Sequence, residues 1–142
     1  MSNINVETES PIITAQRVKD EKRMDFLPRA FGAHYMQGER LVFSWLRELS
    51  DDYRGGYWHY YWLSNGAFYM APEMESKLRL VWANNFFDGE ISADAAGIVA
   101  TFYSINHLIS ITHNDMLIKR YRGLREYVDQ QPEASLIWRA ID

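Results

Sequence analysis

The chain has 142 residues, of which 47% are hydrophobic and 15% aromatic, so it is large and apolar enough for one packed domain and excludes wholesale disorder. It has no cysteine, which removes disulfides, thiolate metal sites and cysteine nucleophiles and fits a reducing cytoplasm. Its net charge of −4 is spread without a basic stripe; that argues against a nucleic-acid footprint, and it is far too little to imitate a DNA duplex, with about one charge per 1.7 Å.

In chain order, residues 1–11 are polar, lack the features of a secretory signal, and read as a loose arm before a single domain over residues 12–142. Ile12 to Val18 predicts a short strand or tether. Met24, Phe26, Leu27, Ala30 and Phe31 predict a short helix broken around Pro28 and closed by Gly32. Tyr35, Val42, Trp45, Leu46 and Leu49 recur at helical spacing, with Gly38 as a weak point, and the helix stops near Ser50. The run Asp51-Asp52-Tyr53-Arg54-Gly55-Gly56 has turn composition.

Tyr57 to Pro72, Y-W-H-Y-Y-W-L-S-N-G-A-F-Y-M-A-P, predicts a β-hairpin with Asn65-Gly66 as a two-residue type I′ turn. That register opposes Leu63 to Phe68, Trp62 to Tyr69 and Tyr61 to Met70. It puts Trp58, Tyr60, Trp62 and Tyr69 on one face, and Tyr57, His59, Tyr61, Leu63, Phe68 and Met70 on the other. Residues 77–83 predict a third strand, with Leu78, Leu80 and Trp82 on one face and Lys77, Arg79, Val81 and Ala83 on the other. Phe86-Phe87 begins a short return strand ending near Ile91.

Ser92 predicts an N-cap for a helix over Ala93–Ser110 that is apolar around nearly its whole circumference, the mark of a central helix. Ala93, Gly97 and Thr101 form a strip of small residues along it, allowing another element to approach closely. Asn114 predicts the cap of a second helix, with Met116, Leu117, Tyr121, Leu124 and Val128 inward; a short closing helix follows Pro132. No stretch has the unbroken apolar run, about 18 residues, of a membrane span. The fold class is α+β: a small antiparallel meander of about three strands, the hairpin 57–72 plus strand 77–83, packed with four to five helices.

Candidate chemistry is sparse. The histidines, His34, His59, His107 and His113, lack metal-binding helical spacing. Residues 84–95 look like a calcium loop only around D-G-E-I-S, because Phe86 and Ala95 stand where oxygen ligands are required. There is no nucleophile elbow or phosphate-binding glycine loop. Asp51 and Asp52 are adjacent, so their side chains diverge and make a poor acid/base pair. Three functions remain: an interaction protein, a weak nucleic-acid or nucleoprotein-binding module using surplus aromatics and the arginine-rich stretch Lys119–Arg125, and a hydrolase using Asp52 or His59.

One ordered motif string separates them. Asp52-Tyr53, Gly55-Gly56, Trp58, Leu63-Ser64-Asn65-Gly66, Phe68, Met70-Ala71-Pro72, Ser92 and Ala95-Ala96-Gly97-Ile98 resemble the ArdB/KlcA antirestriction family. Phe31-Gly32 and the closing Arg139-Ala140-Ile141-Asp142 are similar to it as well. The likeness covers residues 24–142 and departs at Ala67, where relatives often have a second glycine. It implies a bacterial, plasmid- or island-borne cytoplasmic inhibitor of type I restriction–modification enzymes, neither an enzyme nor an acidic DNA mimic, with no cofactor. The implied partner is the type I restriction–modification complex, with no strong DNA binding and no membrane, and a monomer is expected. Asp51, Asp52, Tyr53 and Arg54 are the candidate interaction loop, being polar motif positions outside any core element.

Overall fold

The backbone periodicities resolve, in a computed structural model, into five strands and five α-helices among the described residues, 11–142. The order is β1 (Ala15–Arg17), α1 (Arg23–Phe31), α2 (Tyr35–Leu49), β2 (Trp58–Leu63), β3 (Phe68–Pro72), β4 (Leu78–Trp82), β5 (Phe87–Ile91), α3 (Ala93–Thr112), α4 (Asp115–Asp129) and α5 (Ala134–Ile141). Of the expected arm, residues 1–10 lie outside the described residues; Pro11 offers its carbonyl to Gln130 Nε2 at 2.9 Å.

The α+β class stands, and the sheet arrangement needs a correction. The strands do not form one meander: β1–β2–β3 make one antiparallel sheet, and β4 pairs with β5 in a separate two-stranded sheet. The reason lies at the free edge of β3. Helix α3 covers that edge, so no strand can add there. Thr101 Oγ1 accepts the outward Met70 N–H at 3.2 Å and donates to Gly97 O at 2.8 Å. Gly97 makes the approach sterically feasible, because a Cβ there would overlap Met70 O and stand 2.5 Å from Ala71 Cα. The small-residue strip predicted on this helix is therefore the contact with the sheet. Covering an edge with a helix also removes a site for unwanted strand pairing.

The hairpin register differs from the expected one by a single residue. The pairs are Trp62 with Phe68, Tyr61 with Tyr69, Tyr60 with Met70 and Trp58 with Pro72. Gly66 N donates to Leu63 O at 2.9 Å and Leu63 N to Ala67 O at 2.8 Å, so the loop has three residues, with Gly66 at φ 89°. Asn65 keeps a negative φ, which excludes the type I′ turn, and its side chain accepts Ala67 N–H and donates to Gly123 O on α4. A one-residue slip moves a strand's side chains to the opposite face. Trp58, Tyr60, Trp62, Phe68 and Met70 consequently share one face, and His59, Tyr61, Leu63 and Tyr69 the other.

The first face meets α1 and α2. Phe26 stacks on Tyr60 with centroids 4.5 Å apart and stands edge-on to Trp62 and Phe68, Phe31 meets Phe68 edge-on, and Phe43 meets Trp58. These contacts hold α1 continuous through Pro28 to Phe31, so the expected break does not occur; Gly32, at φ 73°, ends the helix as predicted. On the second face Tyr69 stacks between Tyr61 and Tyr127 of α4. Gly38 is a requirement of packing: a Cβ would lie 2.5 Å from the Phe31 ring, and Gly38 O accepts from Ser104 of α3.

Helix α3 begins at the predicted Ser92 cap, which accepts Ala95 N–H at 3.1 Å, and runs to Thr112. By length and composition it could cross a membrane. Its apolar circumference is instead buried against α2, β3, α4 and α5, as a central helix requires. Sheet β4–β5 leans on α2 and α3 through Trp82, which meets Trp45 and Tyr103, and on α5 through Asn85 Nδ2 to Ala140 O at 2.8 Å.

Gly97→Ala is expected to lower stability by about 3 kcal/mol in urea denaturation, because backbone rather than a flexible side chain must yield. Gly56→Ala, with open space around it but φ 115°, should cost only about 1 kcal/mol of backbone strain. Equal losses in the two variants would refute the edge-sealing role of Gly97.

Candidate functional site

The candidate loop leaves α2 at Ser50 and returns at Trp58. Ser50 is buried; its Oγ accepts the Asp52 N–H at 3.2 Å, and its carbonyl accepts Tyr53 N–H. Gly55 and Gly56, at φ 96° and 115°, then turn the chain through angles that only glycine adopts freely. Asp51 and Arg54 are exposed.

The loop's four candidate residues do different things. Tyr53 is buried beneath the others, and its hydroxyl accepts Trp58 Nε1–H at 2.9 Å, with the rings edge-on at 5.6 Å. It holds the loop to the sheet and presents no contact surface. Asp52 accepts the backbone N–H of Arg79 at 2.8 Å, tying the loop to the outer edge of β4. Beside it, Arg79 Nε and Nη2 donate to both oxygens of Asp88 at 2.8 and 2.6 Å. That bidentate pair holds the Asp88 carboxyl below its ordinary value and the Arg79 guanidinium above its own, with Asp52 and Asp51 adding to the latter.

The tertiary structure thus extends the loop into a surface: Asp51, Asp52 and Arg54 next to Arg79, Asp88 and the exposed Val81 on the β4–β5 hairpin. Arg79 and Asp88 escaped the sequence reading. The alternation that turned Arg79 outward on strand 77–83 was visible; its pairing with Asp88 required the return strand.

The other candidates are placed elsewhere. His59 Nε2 contacts Glu73 Oε1 at 3.2 Å and makes no hydrogen bond to Asp52, so the two do not form an acid/base pair. Among the described residues no cluster of three His, Asp or Glu side chains is arranged to hold a metal. The arginine-rich stretch of α4 is largely committed to the fold. Arg120 donates to Gly66 O and Arg29 O, and Arg125 lies over Trp138 at 4.5 Å; Lys119 and Arg122 remain exposed. The hairpin rings that a nucleic-acid reading would use for stacking are mostly core.

One partly buried acidic group lies outside this surface. Asp94, in the first turn of α3, accepts Tyr69 O–H at 2.7 Å, while the neighbouring Ser92 N–H and O–H both donate to Glu133. Burial raises the Asp94 carboxyl above its ordinary value; the Tyr69 hydrogen bond opposes that rise and the charge of Glu133 adds to it. Burial, reinforced by Asp94, likewise pushes the Tyr69 hydroxyl far up.

This α+β arrangement and the motif positions around it define a family. The chain belongs to the antirestriction protein family, whose model, described as "Antirestriction protein", matches residues 51–142. Two Escherichia coli relatives called antirestriction protein KlcA are each 46% identical, over 95% and 97% of this chain and 99% of their own length. A putative antirestriction protein from Escherichia coli, YubI, is 33% identical over 88% of this chain and 93% of its own. A solved structure from work on KlcA and ArdB superposes with a TM-score of 0.86 at 48% identity, covering 95% of this chain and 99% of that one. Those proteins were reported to have a novel fold and antirestriction activity against Type I DNA restriction systems in vivo but not in vitro.

Two outcomes test the local account. Tyr53→Phe strands the buried Trp58 N–H and should cost about 1–3 kcal/mol in chemical denaturation. A carboxyl raised in the folded state binds its proton more tightly there than when unfolded. The stability this adds is present at low pH and is lost as pH rises through the raised value. Asp94→Asn, whose amide oxygen still accepts from Tyr69, should therefore flatten the fall in thermal stability just above the ordinary carboxyl range. An unchanged pH profile would refute this assignment.

Proposed function

We propose that this chain inhibits type I restriction–modification enzymes in the bacterial cytoplasm and so protects incoming mobile or phage DNA, acting by protein contact and not by catalysis. The single observation that carries the reading is the full-length likeness to KlcA and ArdB, for which antirestriction activity against Type I systems is reported in cells. Activity in vivo without activity in vitro supports a contact that depends on a further cellular component. A net charge of −4, divided among separate surfaces, favours such a contact over duplex mimicry.

The contact surface we assign is the exposed part of the loop, Asp51, Asp52 and Arg54, together with Arg79 and Val81. Tyr53 supports it from below. Loop residues held by a rigid scaffold commonly carry binding functions, and this loop is fixed at both ends by buried groups.

Unmodified phage plated on a restricting strain should form plaques far more efficiently when the gene is expressed. Unchanged plating across several type I systems would overturn the proposal. The double variant Asp51→Ala/Arg54→Ala alters two exposed side chains and should leave thermal stability intact while losing at least about tenfold of the protection, the effect of removing contacts worth roughly 1.4 kcal/mol. Full protection by a stably folded double variant would remove the loop from the contact surface.

A further inference from the structure

Two clefts adjoin at the sheet face packed by α1 and share Arg29 and Trp62. One, of about 280 Å³, lies between β1 and α1 and is also lined by Arg17, Lys19 and Lys22. The other, of about 580 Å³, opens beside the hairpin tip and adds Arg120. Four of the chain's 15 Lys and Arg residues, Lys19, Lys22, Arg29 and Arg120, thus converge on one place, against a single lining carboxylate among the described residues, Asp25, in a protein of net charge −4. Arg17 turns its guanidinium to the other sheet face, where it donates to the Tyr61 hydroxyl at 2.9 Å.

None of the four takes part in either ion pair found among the described residues, His59–Glu73 or Arg79–Asp88. Arg120 is half-buried with only carbonyl partners, Gly66 O and Arg29 O, and its Nε is buried without an acceptor. Burial, with the nearby charge of Arg29, pulls its guanidinium below the ordinary value. A half-buried Arg120 beside the exposed Lys19, Lys22 and Arg29 gathers like charge with few counterions, which favours an incoming anion.

The shape of the cleft selects among anions. Arg120 lies over the Trp62 ring at 5.2 Å and Phe26 stands edge-on to it at 5.0 Å, which takes the ring away from base stacking. The cations also converge, where a nucleic-acid strand needs them spread along its backbone. A protein segment has a further point of attachment at the sheet edge. Val18 N–H and Thr14 O bond toward β2, so the peptide groups of Ala15 and Arg17 turn outward from the open edge of β1. An extended chain can pair with such an edge.

We infer that this basic cleft receives an extended acidic segment of a partner protein, with carboxylates on Lys19, Lys22 and Arg29 and its backbone along β1. The inference concerns a surface separate from the Asp51–Arg54 loop, and its test reads binding in solution, so it is decided whichever way the phage assay turns out.

The probe is a short fluorescein-labelled peptide of alternating Glu and Thr, followed by fluorescence anisotropy on the full chain. Binding should appear at low salt and weaken as salt rises. Lys22→Gln/Arg29→Gln should reduce affinity about tenfold, since each exposed ion pair contributes up to about a factor of five. Arg29→Lys should retain binding, and Arg122→Gln, exposed outside the cleft, should leave it unchanged; thermal melts establish that each variant is folded. Absence of binding at low salt, or an equal loss in Arg122→Gln, would overturn the inference. So would displacement of the peptide by a lower concentration of a single-stranded oligonucleotide, which would assign the cleft to nucleic acid.

Discussion

The contact between Gly97–Thr101 of α3 and the outer edge of β3 governs the rest of this structure. A strand at a sheet edge has peptide groups that must be satisfied, and here one threonine hydroxyl does so, accepting from Met70 and donating to Gly97 in the same turn. The bond requires the helix backbone to come within reach of the strand backbone, and only glycine at 97 permits that. Because the edge is occupied, the chain after Pro72 cannot continue the sheet. It makes a second hairpin, which packs against α2, α3 and α5.

That displacement creates the surface beside the Ser50–Tyr57 loop. Had β4 extended the first sheet, its Arg79 backbone would have been committed to β3. In the separate hairpin, Arg79 N–H is free to meet Asp52, and the Arg79–Asp88 pair stands beside a loop whose buried residue, Tyr53, is bonded to Trp58. Polar residues that look equivalent in the string D-D-Y-R thus divide into a structural tyrosine and exposed charges. Trp62, on the α1 side of the sheet, is shared by the two basic clefts.

The charge pattern shows why net charge alone was a weak guide. The value of −4 averages a region of clustered cations near α1 with an acidic excess in the middle of the chain. Lys19, Lys22 and Arg29 are interleaved in sequence with Asp20, Glu21 and Asp25, so no basic run is visible, and Arg120 arrives from α4 some ninety residues later. Helix and strand geometry sort these charges, leaving Asp25 as the only acid among the described residues that lines the clefts.

The sequence by itself determined the elements whose causes are local. The Ser92 and Asn114 caps, the apolar circumference of α3, the aromatic hairpin and the return strand to Ile91 follow from side-chain spacing and from short-range hydrogen bonds. The motif string was sufficient for the family, because rings, glycines and prolines fixed by one fold recur in order. Tertiary structure alone decided the hairpin register, the division into two sheets and the continuity of α1 through Pro28. Each depends on a partner distant in sequence: Gly123 for Asn65, Thr101 for Met70, and the sheet for Phe26 and Phe31. The loop at Asp51–Arg54 was legible as a polar, non-core stretch. Which of its side chains face outward was not, since the bond that buries Tyr53 forms only when Trp58 has taken its place in the sheet.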